Sequence, residues 1–287
     1  MAGGTWFSLS VHAVKRGDGR SAVAAAAYRS RSILQDNRTG RVHDYSHREE
    51  TAYDEIILPG GAPQWMSNRQ ALWNAVEKEE RHPRGVVARE FRFALPHAAS
   101  LEIRVGIAWL FATYLVKKFN VVIDMAIHPP PPGGDRRNWH AHLLATTRPV
   151  DPSSPTGFGN KVRELDPIAC KKIGMPNVVS HLRTVLAEQI NATMVHFKLP
   201  ERVDHRSYKD RGVDLVPQPH LGPGCIALER RGQNTELGNL RSMIQEENFE
   251  IARLTLELAA VRKEREMLMA MRDRFDLETS RSMPFGP

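Results

Sequence analysis

Cysteine is scarce in this chain of 287 residues: Cys170 and Cys225 are the only two. That excludes a disulfide framework and a thiolate metal cluster, so any metal must be held by imidazole and carboxylate. Long apolar runs are missing as well. The most apolar stretch, "VGIAWLFATYLV", is too short to span a bilayer, and the N-terminus lacks the basic start and apolar core of an export signal. No Walker-type glycine loop is present, so a nucleotide-driven motor is not expected within these residues. Acidic residues are in the minority, with 33 Asp and Glu against 40 Lys and Arg and a formal charge of +7. Such a balance favours a polyanionic partner, nucleic acid above all. These absences lead to the expectation of a soluble, cytoplasmic protein without membrane insertion. What is present, 41% hydrophobic residues, suffices for one substantial core with room for an appended segment.

Periodicity organises the chain. Residues 5–14, "TWFSLSVHAV", alternate Phe7, Leu9, Val11 and Ala13 against Trp6, Ser8, Ser10 and His12, the pattern of a half-buried strand. Ser21 caps a helix, "AVAAAAYRSRSIL", which carries Tyr28 about two turns in. "DEIILP" reads as a short strand and "NRQALWNAVEKEER" as an amphipathic helix. In "VVAREFRFALP", Phe91, Phe93 and Leu95 share one face while Ala88, Glu90, Arg92 and Ala94 share the other. Ser100 caps the apolar helix "LEIRVGIAWLFATYLVKKF".

"NVVIDMAIH" places Val122, Asp124, Ala126 and His128 on one face of a strand that "PPPPGGDRR" must end. The chain re-enters a strand at Asn138, so an antiparallel hairpin brings His128 beside His140 and His142 of "NWHAHLLATT". A polar loop, a helix around "VVSHLRTVLAEQINATMVHF" and the clusters "RVDHRSYKDRG" and "PQPHLGPG" follow. From about residue 236, Gly and Pro become rare. Taking Leu237 as position a, the a and d sites are Leu237, Leu240, Ile244, Glu247, Ile251, Leu254, Leu258, Val261, Arg265, Leu268, Arg272 and Phe275. This describes a long helix with a coiled-coil seam, or an amphipathic helix folded back on the main domain.

Residues two apart on a strand share a face with Cβ atoms roughly 6 to 7 Å apart, so His140 and His142 can reach one ion. His128 supplies a third imidazole and leaves coordination positions open, as a catalytic metal requires. Three imidazoles suit several divalent ions, so ligand type does not name the metal. Glu90 and Asp124 share this face, and either can orient an imidazole or accept a proton. His12, His43, His47, His82, His97, His181 and His196 are most simply surface or packing residues. If the substrate is a phosphate ester, the ion acts as a Lewis acid and a nucleophile is still needed. Tyr28, flanked by small side chains, admits a bulky phosphodiester, with Arg29 or Arg31 available to bind phosphate or a phenolate.

"SAVAAAAYRS", "TGRVHDY", "AREFRFALP", "VVIDMAIH", "NWHAHLLATTRPV", "GFGNKVREL" and "VDHRSY...HLGP", in this order, resemble the MobA/MobL family of conjugative relaxases over about residues 1 to 225. These are nicking enzymes of mobilisable and conjugative plasmids, within the histidine-hydrophobe-histidine endonucleases. The resemblance implies an α+β fold: a central antiparallel sheet with helices packed on one face, the other forming a palm for DNA. It implies Tyr28 as the nucleophile that leaves a 5'-phosphotyrosyl enzyme and a free 3'-hydroxyl. His128, His140 and His142 become ligands of a divalent ion, Mg²⁺ or Mn²⁺, with Glu90 the acidic residue beside them. The substrate is then single-stranded DNA at an origin of transfer, with Arg29, Arg31, Trp139, Lys161 and Arg163 as DNA contacts.

Trp139 stands where family members commonly have Pro, and stacking on a base is its expected role. Asp204, His205 and His220, in the "DHRS" and "HLGP" signatures, receive no chemical role. Residues 1–225 form the expected nicking domain and 226–287 a helical tail. That tail would bind a relaxosome accessory protein, the secretion coupling protein or a second copy of itself. Three rivals remain at this point. A rolling-circle initiator or transposase of the same superfamily places its tyrosine after the H-x-H, unlike this chain. A metal-dependent hydrolase would use water and leave Tyr28 as packing, and a non-enzymatic DNA-binding protein would not need the histidines.

Overall fold

Alternation of apolar and polar residues gives the strands, and an alanine-rich segment gives the first helix, in a computed structural model describing residues 7–48, 51–176, 178–219 and 221–282. In chain order the elements are β1 (Leu9–Lys15), α1 (Ala22–Ser30), β2 (Ile33–Asp36), β3 (Arg41–Asp44), β4 (Tyr53–Ile57), α2 (Arg69–Glu79) and β5 (Val86–Ala94). After these come α3 (Leu101–Phe119), β6 (Ile123–His128), β7 (His140–Thr146), α4 (Pro167–Lys172), α5 (Val178–His196), α6 (Pro223–Glu229) and α7 (Glu236–Ser282). Two compact units result, Met1–His205 and Arg206–Pro287, so the expected boundary at 225 lies inside the second. Thr5 and Trp6 of the first expected strand, and His220, lie outside the described residues.

In the first unit a five-stranded sheet has the order β1-β5-β7-β6-β4, and every neighbouring pair is antiparallel. Its odd-numbered residues, among them Phe91, Phe93, Met125, Ile127 and Leu143, pack against Ile107, Phe111 and Leu115 of α3 and Leu182, Leu186 and Ile190 of α5. This is the central antiparallel sheet with helices packed on one face. The even-numbered face is divided. Where it carries Ala88, Val122 and Leu144, it buries Ala22, Val23 and Ala26 of α1 and Leu72, Trp73 and Val76 of α2. Where it carries Arg92, His128, His140 and His142, apolar surface runs out and no such core forms. Helices α1 and α2 thus cover part of the face expected to be open, because three of its residues are as apolar as those opposite.

Ser21 caps α1 as expected: its Oγ accepts from the backbone N–H groups of Val23 and Ala24 and donates to Asp36 at 2.7 Å. Ala22 N–H donates to the buried Glu77 at 2.6 Å, and Glu77 also binds Arg16 and Arg38. Helix α1 ends at Ser30 because Arg31 turns left-handed, at φ 54°. A hairpin, β2–β3, follows that periodicity alone did not separate from the helix. Asp36 Oδ1 accepts from Arg38 and Thr39 N–H, and Gly40 supplies the positive φ that closes the turn.

The second unit holds α6 and α7, the latter one continuous helix of 47 residues. Asn248 clasps the backbone of Val216 through both its N–H and its carbonyl. Leu240, Leu254, Leu258, Val261, Leu268 and Phe275 of the a and d series are exposed on α7. None of the described helices is long and apolar enough to cross a membrane.

Candidate active site

The hairpin register builds the centre. His128, the last residue of β6, is the ladder partner of His140, the first of β7, and His142 faces Ala126 on one side and Arg92 on the other. Ring centroids are 5.5 Å apart for His128 and His140, 4.6 Å for His128 and His142, and 4.9 Å for His140 and His142. One ring nitrogen from each lies within 4.8 Å of the other two. Small ring rotations therefore bring all three onto an ion at metal–imidazole distances of ~2.1 Å.

The donor set fits a divalent ion in protonation as well as position. Burial pushes His128 down to about 3 and His140 down to about 4, assisted by the neighbouring imidazoles and Arg31, so both are neutral at physiological pH. Burial lowers His142 too, against the pull of Glu90. The Nδ1 of His142 lies 2.6 Å from Glu90 Oε1, and that of His140 lies 3.1 Å from the carbonyl of Asn138. Both rings therefore keep Nε2 for a metal. His128 Nε2 sits 2.7 Å from the carbonyl of Arg29, leaving its Nδ1.

These low values set an acid limit on the fold. Below about pH 6.5 the unfolded chain protonates both imidazoles, whereas the folded chain does not until about pH 4 and 3. The unfolded state then binds more protons, so stability falls as pH drops through this window and is level above it. Urea unfolding in chelator should show this slope between pH 6.5 and 5, where most carboxylates stay ionised. A double change of His128 and His140 to Asn reduces it, leaving the part that His142 contributes; an unaltered slope contradicts the assignment.

Glu90 is where the sequence reading placed it, beside the centre. Burial raises its carboxyl, but hydrogen bonds from His142 and Arg29 outweigh that and hold it well below the usual carboxylate range. Asp124 does something else. Four residues before His128 on the same face, it lies about 13 Å up the strand and meets α2 instead. Arg69 and Trp73 Nε1 bind it there, the latter at 2.8 Å.

Tyr28 is half-buried in the last turn of α1. The Tyr45 ring meets it edge-on at 5.3 Å, and the guanidinium carbons of Arg31 and Arg48 lie 4.6 and 5.2 Å from its centroid. Arg31 also donates to the Tyr28 carbonyl. Tyr45 and Arg48 were not foreseen, since only the β2–β3 hairpin brings them here; the "DNRTG" turn was the available signal. Nor does the sequence single out Arg92. It is exposed on the histidine face, flanked by His142 and Ser10.

The remaining expected DNA contacts scatter. Trp139 packs on the opposite, helix-bearing side, under Arg104 at 4.0 Å, so the expected base stacking does not fit its position. Lying one residue before β7, it follows the phase of Ala141 and not that of the histidines. Lys161 is ion-paired to Glu80 and donates to the Val86 carbonyl, and Arg163 is exposed on a single 3-10 turn. Arg29 is spent on Glu90. His205 bonds Thr184 at 3.0 Å and packs edge-on to Phe7, a structural placement.

Sheet and centre together define an α+β protein that presents three imidazoles on one sheet face beside a tyrosine-bearing helix. Within that class the chain belongs to the MobA/MobL family, whose model matches residues 20–231. It is 35% identical over 246 residues to mobilization protein MobL of Acidithiobacillus ferridurans, covering 78% of this chain and 64% of that protein. Conjugal transfer protein TraA of Rhizobium radiobacter is 30% identical over 250 residues, 79% of this chain but 22% of TraA. The chain thus spans less than two thirds of either relative. A solved structure described as the molecular basis of vancomycin resistance transfer in Staphylococcus aureus superposes with a TM-score of 0.62 at 26% identity. It matches over 71% of this chain and 100% of that one.

Proposed function

We propose that the chain is a metal-dependent DNA relaxase that nicks one strand at an origin of transfer by tyrosine transesterification, for conjugative mobilisation. The observation that carries this reading is the attachment of the Tyr28 helix to two of three neutral, converging imidazoles. Family membership, and the mobilization and conjugal transfer names of the relatives, support the choice of DNA as substrate.

His128, His140 and His142 hold the ion, Mg²⁺ or Mn²⁺, which when bound supplies Lewis-acid polarisation of a non-bridging phosphate oxygen. Glu90 fixes the His142 ring so that Nε2 faces inward. The Tyr28 phenol gives up its proton to solvent as its oxygen attacks phosphorus; the bond to the 3'-oxygen breaks, and that oxygen takes a proton from solvent to become the 3'-hydroxyl, so the exchange is proton-neutral. The 5'-phosphate stays on the tyrosine, which preserves the ester for rejoining. Arg31 and Arg48, lying over the Tyr28 ring, provide positive charge where the phosphodiester must approach. Residues 1–225 perform this reaction, and the helical tail 226–287 contacts a relaxosome accessory protein, the secretion coupling protein or a second copy.

The test is a set of single-stranded oligonucleotides tiled across the transfer origin of the source element, incubated with protein and Mg²⁺ or Mn²⁺. The expected result is a nick and a protein–DNA adduct on the 5' side that survives denaturation. Cleavage without any adduct would overturn the transesterification.

A further inference from the structure

We propose that Arg29 is a positioning residue that locks the Tyr28 helix to the histidine centre, and not a contact to DNA phosphate. The inference rests on the reading of Tyr28 as nucleophile and of the three histidines as metal ligands.

Every nitrogen of the Arg29 guanidinium is already engaged. Nε donates to Glu90 Oε1 at 2.7 Å, one terminal nitrogen meets Glu90 Oε2 at 2.5 Å, and the other donates to the Ala25 carbonyl at 2.6 Å. The two side chains are 13% and 11% exposed, so a phosphate would have to displace a bidentate carboxylate from a largely dry site. Glu90 Oε1 is shared with His142 Nδ1, so the chain of bonds runs from α1 through Arg29 and Glu90 to one metal ligand. The main chain of the same residue makes a second connection, because the Arg29 carbonyl meets His128 Nε2 at 2.7 Å. Two of three ligands are thereby referenced to the residue that follows Tyr28.

Local geometry makes these bonds necessary. Helix α1 has nine residues and ends two beyond Tyr28, in a turn that would otherwise fray. Its polar ties to other elements, Ser21 with Asp36 and Ala22 with Glu77, are at the far end, and Ser30 in the last turn meets Ser32 of the loop that follows, at 2.7 Å. In-line attack tolerates about 0.5 Å of misplacement, and among the described residues only Arg29 hydrogen-bonds from the last turn to the main sheet. Lysine cannot replace it, since one ammonium cannot bridge both carboxylate oxygens and the Ala25 carbonyl in a fixed plane.

The test compares Arg29→Gln and Arg29→Lys with wild type in three measurements. These are Mn²⁺ affinity of the DNA-free protein, oligonucleotide affinity across a salt series, and single-turnover cleavage at saturating oligonucleotide. Arg29→Gln should lose about 100-fold in single-turnover rate. Its Mn²⁺ binding should weaken about 10-fold, with oligonucleotide affinity and its salt slope unchanged. Arg29→Lys, which keeps the charge and serves if Arg29→Gln does not fold, should recover the rate only in part. Weaker oligonucleotide binding with a salt slope shallower by about one, and an unchanged rate at saturation, is the signature of a phosphate contact and overturns the inference. So do an unchanged rate and Mn²⁺ affinity in both variants. A wild-type protein that neither binds Mn²⁺ nor forms an adduct defeats the underlying reading, an outcome separable from failure of Arg29 alone.

Discussion

Tyr28→Phe should abolish both strand cleavage and the covalent adduct, a loss on the order of 1,000-fold or more, while metal and oligonucleotide binding stay within about twofold. The phenyl ring preserves the edge-on contact with Tyr45 and the stacking of Arg31 and Arg48, so packing at the end of α1 is kept. Among the described residues nothing hydrogen-bonds the phenolic oxygen, so its removal orphans no partner. The substitution therefore deletes the proposed nucleophile and little else. Cleavage at an undiminished rate by the Phe variant would mean that water attacks, and would make the chain a hydrolase in which Tyr28 is packing.

His142→Ala should have an effect of similar size by another route. It removes the ligand at the middle of the set, and loss of Mn²⁺ affinity should exceed the ~10–100-fold expected for disturbing an outer partner such as Glu90. Cleavage should disappear with it. The fold should survive, because Glu90 keeps its bidentate pair with Arg29 and no buried charge is left alone. Chelation of the wild type should give the same inactivity, reversed by returning Mg²⁺ or Mn²⁺; the variant should not recover. Full Mn²⁺ affinity in His142→Ala would show that the histidines do not hold the ion.

What could be read ahead of the structure was whatever depends on local period. Alternation in "VVAREFRFALP" and "NVVIDMAIH" located β5 and β6 and assigned Glu90 and His128 to one face, and the Pro-rich break between His128 and Asn138 gave the hairpin. The three histidines followed, since they lie on one hairpin whose register the turn constrains, whereas Glu90, 52 residues from His142 on a strand that no turn ties to that hairpin, was marked by the family resemblance. Contacts made across long separations were out of reach. Arg69 binds Asp124 from 55 residues away, which no local pattern announces. Tyr45 and Arg48 reach Tyr28 only through a hairpin whose strands are four residues each, too short for alternation to declare itself. Arg29 looked like a cation for DNA because basic residues cluster around Tyr28; its partner, Glu90, lies 61 positions on.

The anchoring of α1 also has a mechanical meaning. On the proposed mechanism a strand is joined to Tyr28, and any pull on the departing DNA would enter the protein through that one side chain. Helix α1 is held at its first turn to Asp36 on β2 and Glu77 on α2, and at its last to Glu90 on β5 and His128 on β6. Tension applied at the tyrosine would be divided among four separate elements, two of them strands of the main sheet. A helix pinned at both ends in this way resists being peeled off while the ester persists.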